Sequence, residues 1–357
     1  MIARMADGAR MQAHAGAPPD PRSGTGSEAR CDPPGSEVFA RDVLAGRVAL
    51  VTGGGTGLGK ATAIELARCG ADVIVMGRRA DVLEQAVADI YVESGRGAGG
   101  EALAGEEVVD GAAGEKDVGG EDVGGEDVGG GAADRRGGVV EWVEGDVRDR
   151  DDARRIVRET LARRGRLDIL VNNAGGQYFT PAEAIVAKGW RAVWRLNVEG
   201  IVNMAEAAVQ AGIGADGAGT IVNVTLSPHH GMPGMAHSGA ARAAVEALTR
   251  EQARRWADRG VCVTAVAAGH FDTEAMGKYP DTVRAGMALS VPLQRLGRPQ
   301  EHAWLIALLC SPVGRTLNGS TITLDGARDN WFGPWPPPGL TGETGEVPSE
   351  ARRTGAP

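Results

Sequence analysis

Two periods of apolar and polar residues alternate along the chain from residue 46 onward. Short, mostly apolar runs at Gly46–Thr52, Ala71–Met76, Val139–Val143, Leu167–Val171, Thr220–Thr225, Val261–Val266 and Ser320–Leu324 predict strands buried on both faces. Between them, apolar residues recur at helical spacing in Lys60–Arg68, Asp81–Ile90, Arg150–Arg164, Trp190–Gln210, Ser238–Trp256 and Glu301–Leu309. Strand and helix in strict alternation predict an α/β protein with one doubly wound parallel sheet and right-handed crossovers.

Three stretches fall outside this pattern. Residues 1–44, rich in Gly, Pro, Ala, Arg and Asp, have no period and are expected to form a disordered leader. Residues 91–138 carry sixteen glycines and the near-repeat Asp117-Val118-Gly119-Gly120, Glu121-Asp122-Val123-Gly124-Gly125, Glu126-Asp127-Val128-Gly129-Gly130. Too little of that stretch is apolar to offset its chain entropy, so it is expected to be a disordered, Gly-rich acidic insert. Residues 334–357 form a Pro/Gly-rich tail. One domain, 45–333, remains; without the insert it is roughly 240 residues, the size of a single Rossmann-type domain.

Composition narrows the function classes. The net charge is −9, but twelve acidic and four basic residues between Tyr91 and Gly138 account for −8 of it, leaving −1 elsewhere. No basic footprint for a nucleic acid is visible. No apolar run approaches the roughly 18 residues of a membrane span, and no signal or address motif is found, so a cytoplasmic home is expected. Cys31, Cys69, Cys262 and Cys310 are far apart, form no C-x-x-C pair and stand beside no His cluster. They are expected to be free thiols with no metal site.

The chemistry starts at Thr52-Gly53-Gly54-Gly55-Thr56-Gly57-Leu58-Gly59, directly between the first strand and helix. Glycines there let the backbone approach a pyrophosphate, whose charge the helix N-terminus favours. The same stretch, Gly54 to Lys60, mimics a nucleotide-triphosphate loop, but Ala61 stands where that loop needs a Ser or Thr for Mg²⁺. The second strand runs into Gly77-Arg78-Arg79. A free ribose 2′-hydroxyl calls for an acid at that point and a 2′-phosphate for Arg, so NADPH is the expected cofactor.

These residues resemble the short-chain dehydrogenase/reductase family over residues 45 to about 332. Besides the glycine turn, its adenine-side Asp fits Asp146-Val147, its N-N-A-G fits Asn172-Asn173-Ala174-Gly175, and its helix asparagine fits Asn197. Ala268-Gly269 to Thr273 resembles the segment that grips the nicotinamide amide, and Asp325-Gly326 the closing D-G. The resemblance implies that Gly53, Gly55, Thr56, Gly57, Leu58, Gly59, Arg78, Asp146, Val147, Asn173, Gly175, Arg242, Gly269 and Thr273 hold the dinucleotide. It also implies a homo-oligomer formed through the helices around Trp190–Gln210 and Ser238–Trp256.

The family's Tyr-x-x-x-Lys is missing. Ser238 stands in the tyrosine slot, Arg242 in the lysine slot and Leu226 in the serine slot. Arg242 can hold a ribose through its fork of donors but never deprotonates. Ser238, with no base beside it, is a poor acid. Conjugate reduction suffers less from this loss, because the developing enolate asks chiefly for hydrogen-bond donors. The stretches Gly175–Glu183, Lys188–Trp190 and His237–Arg242 resemble the trans-2-enoyl-CoA and 2,4-dienoyl-CoA reductase branch, whereas the tail Trp331–Pro336 resembles bacterial dehydrogenases of acyclic terpene alcohols. The leading expectation is an NADPH-dependent reductase of an unsaturated acyl thioester, with Asn197, Ser238 and Arg242 as the catalytic set. An NAD(P)-dependent dehydrogenase of isoprenoid alcohols such as citronellol is the second reading, and a catalytically silent NADPH-binding protein the third. His237 reads as a packed or solvent-facing residue before a proton donor, and His229 and His230 as pocket lining. Gln177 and Tyr178 stand where ligands bind, and Trp190 and Trp194 read as core or subunit-contact residues.

Overall fold

The computed structural model describes residues 36–95, 138–227, 234–278 and 281–330. Residues 1–35 of the expected leader, 96–137 of the expected insert 91–138, the stretch beyond 330, and His229 and His230 lie outside them, whereas Tyr91–Glu93, expected in the insert, close a helix. Seven strands form one parallel sheet: β1 (Val48–Thr52), β2 (Asp72–Gly77), β3 (Val140–Glu144), β4 (Ile169–Asn172), β5 (Gly219–Leu226), β6 (Val261–Ala268) and β7 (Thr321–Leu324). Their order is β3-β2-β1-β4-β5-β6-β7, so the winding reverses between β1 and β4. In such a sheet the crevice at the reversal, beyond the carboxyl ends of the strands, is where ligands bind.

The strands take this form because they are wanted on both faces. Every residue of β1 and β6 is buried, and the sheet packs helices on each side. Helices α1 (Gly57–Arg68) and α2 (Ala80–Glu93) cover one face with the later α8 (Pro299–Cys310). On the other face lie α3 (Arg150–Arg164), α5 (Gly200–Gln210) and α6 (Ala236–Trp256). The start of α3 is set locally. The Asp149 carboxylate accepts from the Asp151 and Asp152 amides, and Gly165 ends the helix at φ 71°.

Three expectations are corrected. Packing begins before residue 45: Leu44 is buried, its amide donates to the Cys69 carbonyl at 2.8 Å, and Phe39 rests on the core. The helix expected over Trp190–Gln210 is divided into α4 (Ala187–Trp194), a π-helical turn Arg195–Glu199 and α5. Periodicity misses this break because its cause is tertiary: the Asn197 amide bonds the distant Gly176 backbone, and Gly200 lies tight on Val147. Trp190 and Trp194 do not belong to the core; both stand exposed, and Trp194 borders an apolar groove with Val198, Val202, Ala244 and Leu248. One helix, α7 (Asp281–Leu289), had no counterpart in the periodicity. Cys69 and Cys262 are buried free thiols, and Cys310 is a half-buried one.

His302, on α8, faces α1, with its Nδ1 3.4 Å from the Thr62 hydroxyl and its Nε2 unpartnered. Burial pushes its pKa down from 6.5 to about 4, because the charged ring would lose its water. The unfolded chain therefore binds this proton more readily than the folded one. Stability contributed by neutral His302 is complete above pH 6.5 and is lost as pH falls toward 4, at about 1.4 kcal/mol per unit. Urea unfolding from pH 7 to 4.5 should show that slope, and His302→Gln should flatten it.

Candidate active site

The glycine turn takes its shape from a close approach. Any side chain at Gly59 would collide with the Gly53 carbonyl oxygen and with the Asn173 amide nitrogen, 2.5 Å from an ideal Cβ. The N-cap of α1, Thr56, makes no side-chain cap, and the first turn holds no acid. Its amide donors thus face the cleft without a built-in acceptor, as an anion site needs. Thr52 ties this turn to the neighbouring strand. Its hydroxyl accepts from the Asn173 and Ala174 amides at 3.0 and 2.9 Å, while the Asn173 side chain donates to the Thr52 and Gly53 carbonyls. Asn173 thus secures the loop with its side chain.

Around this turn opens a cleft of about 1160 Å³ bordered by the carboxyl ends of β1, β2, β4, β5 and β6. Gly53, Gly55, Thr56, Gly57, Leu58, Arg78, Asp146, Val147, Asn173, Gly175, Arg242, Gly269 and Thr273 all border it. Of the residues expected to hold the dinucleotide, only Gly59 does not border the cleft; it is buried behind the turn, against the Gly53 carbonyl. At the β2 end, Arg78 and Arg79 are exposed, and their guanidinium groups hydrogen-bond to no described residue. The Asp146 carboxylate is taken by Arg148, whose Nε lies 2.9 Å from both oxygens. That ion pair holds its pKa below the usual carboxylate range.

At the opposite end stands Arg242, 9% exposed. Its Nη1 donates to the Val224 carbonyl at 3.0 Å, its Nε has no partner, and no carboxylate pairs with it among the described residues. Burial pushes its pKa down to about 10. A Cβ on Gly175 would sit 2.8 Å from Arg242 Nη2 and 2.9 Å from Asn197 Oδ1, so glycine is required there to admit the guanidinium. A buried, partly unsatisfied cation facing a cleft suits polar ligand oxygens such as ribose hydroxyls.

The rest of the expected catalytic set is placed differently. Asn197 is fully buried; its Nδ2 donates to the Gly176 and Val193 carbonyls, each at 2.8 Å, and its Oδ1 accepts from the Gly176 amide at 3.1 Å. It positions the strand-end loop and has no donor left for a reacting group. Ser238 is buried, its hydroxyl has no partner among the described residues, and it is not among those bordering the cleft. Helix α6 turns it inward, a direction the i to i+4 spacing with Arg242 did not reveal. His237 is buried against the rings of Tyr178 and Trp190, with centroids at 4.5 and 6.1 Å, and burial lowers its pKa. Gln177 borders the cleft while Tyr178 does not. Leu226 lines the wall, and the next residue, Ser227, donates to Asp325. His270 also lines the cleft. No chain-local pattern marks it, although it lies inside the Gly269-to-Thr273 segment.

Comparison with known proteins agrees with this geometry. Residues 47–101 match the family model described as short chain dehydrogenase, and residues 125–327 the one described as Enoyl-(Acyl carrier protein) reductase. A probable 2,4-dienoyl-CoA reductase of Bacillus subtilis is 30% identical, over 81% of this chain and 98% of that protein. A peroxisomal 2,4-dienoyl-CoA reductase of Arabidopsis thaliana is 31% identical, over 81% of this chain and 86% of that protein. The solved structure of a citronellol catabolism dehydrogenase from Pseudomonas aeruginosa superposes with a TM-score of 0.62 at 33% identity, covering 82% of this chain and 98% of the other. The glycine turn, the crevice it opens onto and these matches lead to one assignment: the chain belongs to the short-chain dehydrogenase/reductase family and is an oxidoreductase of small molecules.

Proposed function

We propose that the protein uses NADPH to reduce the C=C bond of a trans-2-enoyl-CoA or a related unsaturated acyl thioester. The observation that carries this reading is Arg242, buried at the reacting end with no carboxylate partner, where alcohol–ketone chemistry in this family relies on a lysine and a tyrosine. Arg78 and Arg79 would take the 2′-phosphate, and the glycine turn and α1 amides the pyrophosphate. Arg242 would hold the nicotinamide ribose. The bound dinucleotide supplies a hydride, which a conjugate reduction delivers to the β-carbon. Negative charge then develops on the thioester oxygen, which calls for fixed donors more than for a strong acid. The two relatives named as 2,4-dienoyl-CoA reductases support a thioester substrate.

A dehydrogenase of acyclic isoprenoid alcohols is the second reading, favoured by the likeness to the citronellol catabolism dehydrogenase. It is distinguished by reversible oxidation of added citronellol. As for assembly, the apolar groove between α4–α5 and α6, with Trp194 on its rim, is proposed as the contact with a second copy of this chain. The proposed location of the reaction is the cytoplasm.

Three measurements test these statements. Purified protein should oxidise NADPH faster than NADH with trans-2-enoyl-CoA thioesters, and Arg78→Ala should raise the KM for NADPH about tenfold with little effect on NADH. Bound NADPH with no turnover of thioesters or alcohols would point instead to a silent binder. Arg242→Ala should lower kcat about 10²-fold, read in the same assay, while His237→Gln keeps turnover. Trp194→Glu should shift the protein to a smaller species in sedimentation.

A further inference from the structure

The cleft needs a group that can exchange a proton, and the slots of the family pattern do not provide one. Among the described residues that border it, the titratable side chains are Arg78, Arg79, Asp146, Arg242 and His270. The arginines do not deprotonate. Asp146 lies beside β3 and is tied to Arg148. Of these, only His270 ordinarily titrates near neutral pH, and it stands just past the carboxyl end of β6, next to Gly269 and three residues before Thr273, in the segment whose resemblance implies a grip on the nicotinamide amide.

Its surroundings suit that work. The backbone is held on two sides, with the Gly297 amide donating to the His270 carbonyl at 2.8 Å and the Gly269 amide to the Leu324 carbonyl at 3.0 Å. The ring is half-buried and hydrogen-bonds to no described residue, so its nitrogens remain available to a ligand. Charged groups gather around it from several elements. Asp325 and Arg328 come from the loop after β7, and Asp325 is itself fixed by the Ser227 hydroxyl and the Asp329 amide. The Arg295–Glu301 pair, at 2.7 Å, lines a small pocket on the far side of His270. Asp272, two residues on, pairs with Arg284 of α7, and Arg242 borders the same cleft from α6.

We propose that His270 is the proton-transfer residue of this enzyme. In the reducing direction an imidazolium N–H bond breaks as a C–H or O–H bond forms on the substrate atom left electron-rich by the arriving hydride. The neutral ring then regains a proton from water at the cleft mouth. In alcohol oxidation the neutral ring takes the hydroxyl proton while the hydride leaves for the dinucleotide. The assignment rests on the oxidoreductase reading of the cleft and serves either substrate class.

Burial, and then Arg328, lower the ring's pKa from 6.5, with Asp325 opposing them. The acid form needed for reduction is therefore lost as pH rises through a midpoint below 6.5, so reductive kcat should climb toward acid pH. His270→Gln should lower kcat about 100-fold and flatten that profile, leaving the KM values and the NADPH dissociation constant within twofold. Added imidazole should restore part of the rate in His270→Ala. In histidine-ring NMR, the resonance missing from His270→Gln should shift when NADP⁺ is added. An unmoved resonance overturns the proposal whatever the substrate. So does a kcat within threefold of the parent with the same pH profile, or a loss explained by weakened NADPH binding and a lowered Tm. Turnover of citronellol but not of enoyl thioesters overturns the thioester reading, and the His270 variants are then scored on the alcohol. Failure of both substrate classes overturns both proposals.

Discussion

Where β1 and β4 diverge at the carboxyl end of the sheet, a loop leaves each strand into the same narrow space, and the rest of the site depends on how those loops are joined. Thr52 joins them. Its hydroxyl accepts from two amides of the β4 loop and donates to the Val171 carbonyl, while Asn173 returns two bonds to the carbonyls of Thr52 and Gly53. The contact is dense in main chain, so its polar groups must be satisfied locally, at a cost of roughly 1–3 kcal/mol for each one left unmade. It sets the entry angle of α1, whose free amides face the cleft, and it also sets where Gly175 presents its bare backbone to Arg242.

A second layer of polar packing carries this geometry across the sheet. Asn172 donates to Asn223 on β5, and Asn223 donates to Thr249 and Gln252 of α6. All four are buried. The helix bearing Arg242 is thereby tied to the strand ends that form the cleft floor. Asn197 does the same for the π-helical turn by bonding the Gly176 backbone in both directions. A fully satisfied buried network of this kind favours one arrangement over its alternatives, because each slipped alternative strands a polar group. Arg242 is an exception at the edge of the cleft, its Nε having no partner among the described residues. A buried donor left unmatched beside a cleft suits a polar ligand.

Much of this was legible before any coordinates. Parallel strands buried on both faces read as continuous apolar runs, and β1, β2, β5 and β6 fall within about two residues of their expected spans. The glycine turn and Arg78 were legible because their chemistry is tied to a chain-local pattern, a strand ending in glycines or running into arginines, whereas Gly175, Arg242 and Thr273 were legible only through the family resemblance. The division of the helix at Arg195–Glu199 was not legible, since its cause is an amide bonding a residue 21 positions away. Ser238 and Asn197 illustrate the same limit from the side of function. A position in a motif states which residue type stands near a site, but not whether its polar atom faces the ligand or the backbone.

The chain alone thus determined the fold class, the order of its elements and the anion-binding turn, because strand burial, helix period and glycine content are local properties. Tertiary structure decided the rest. It determined that β1 and β4 are neighbours, that Ser238 is turned inward and that His237 is locked between two rings. It also brought His270 and Arg242, 28 residues apart and on separate elements, to one cleft. The physical reason is direction: the sheet order sets which strand ends meet, and packing sets which way each side chain points, and neither is encoded within a window of ten residues.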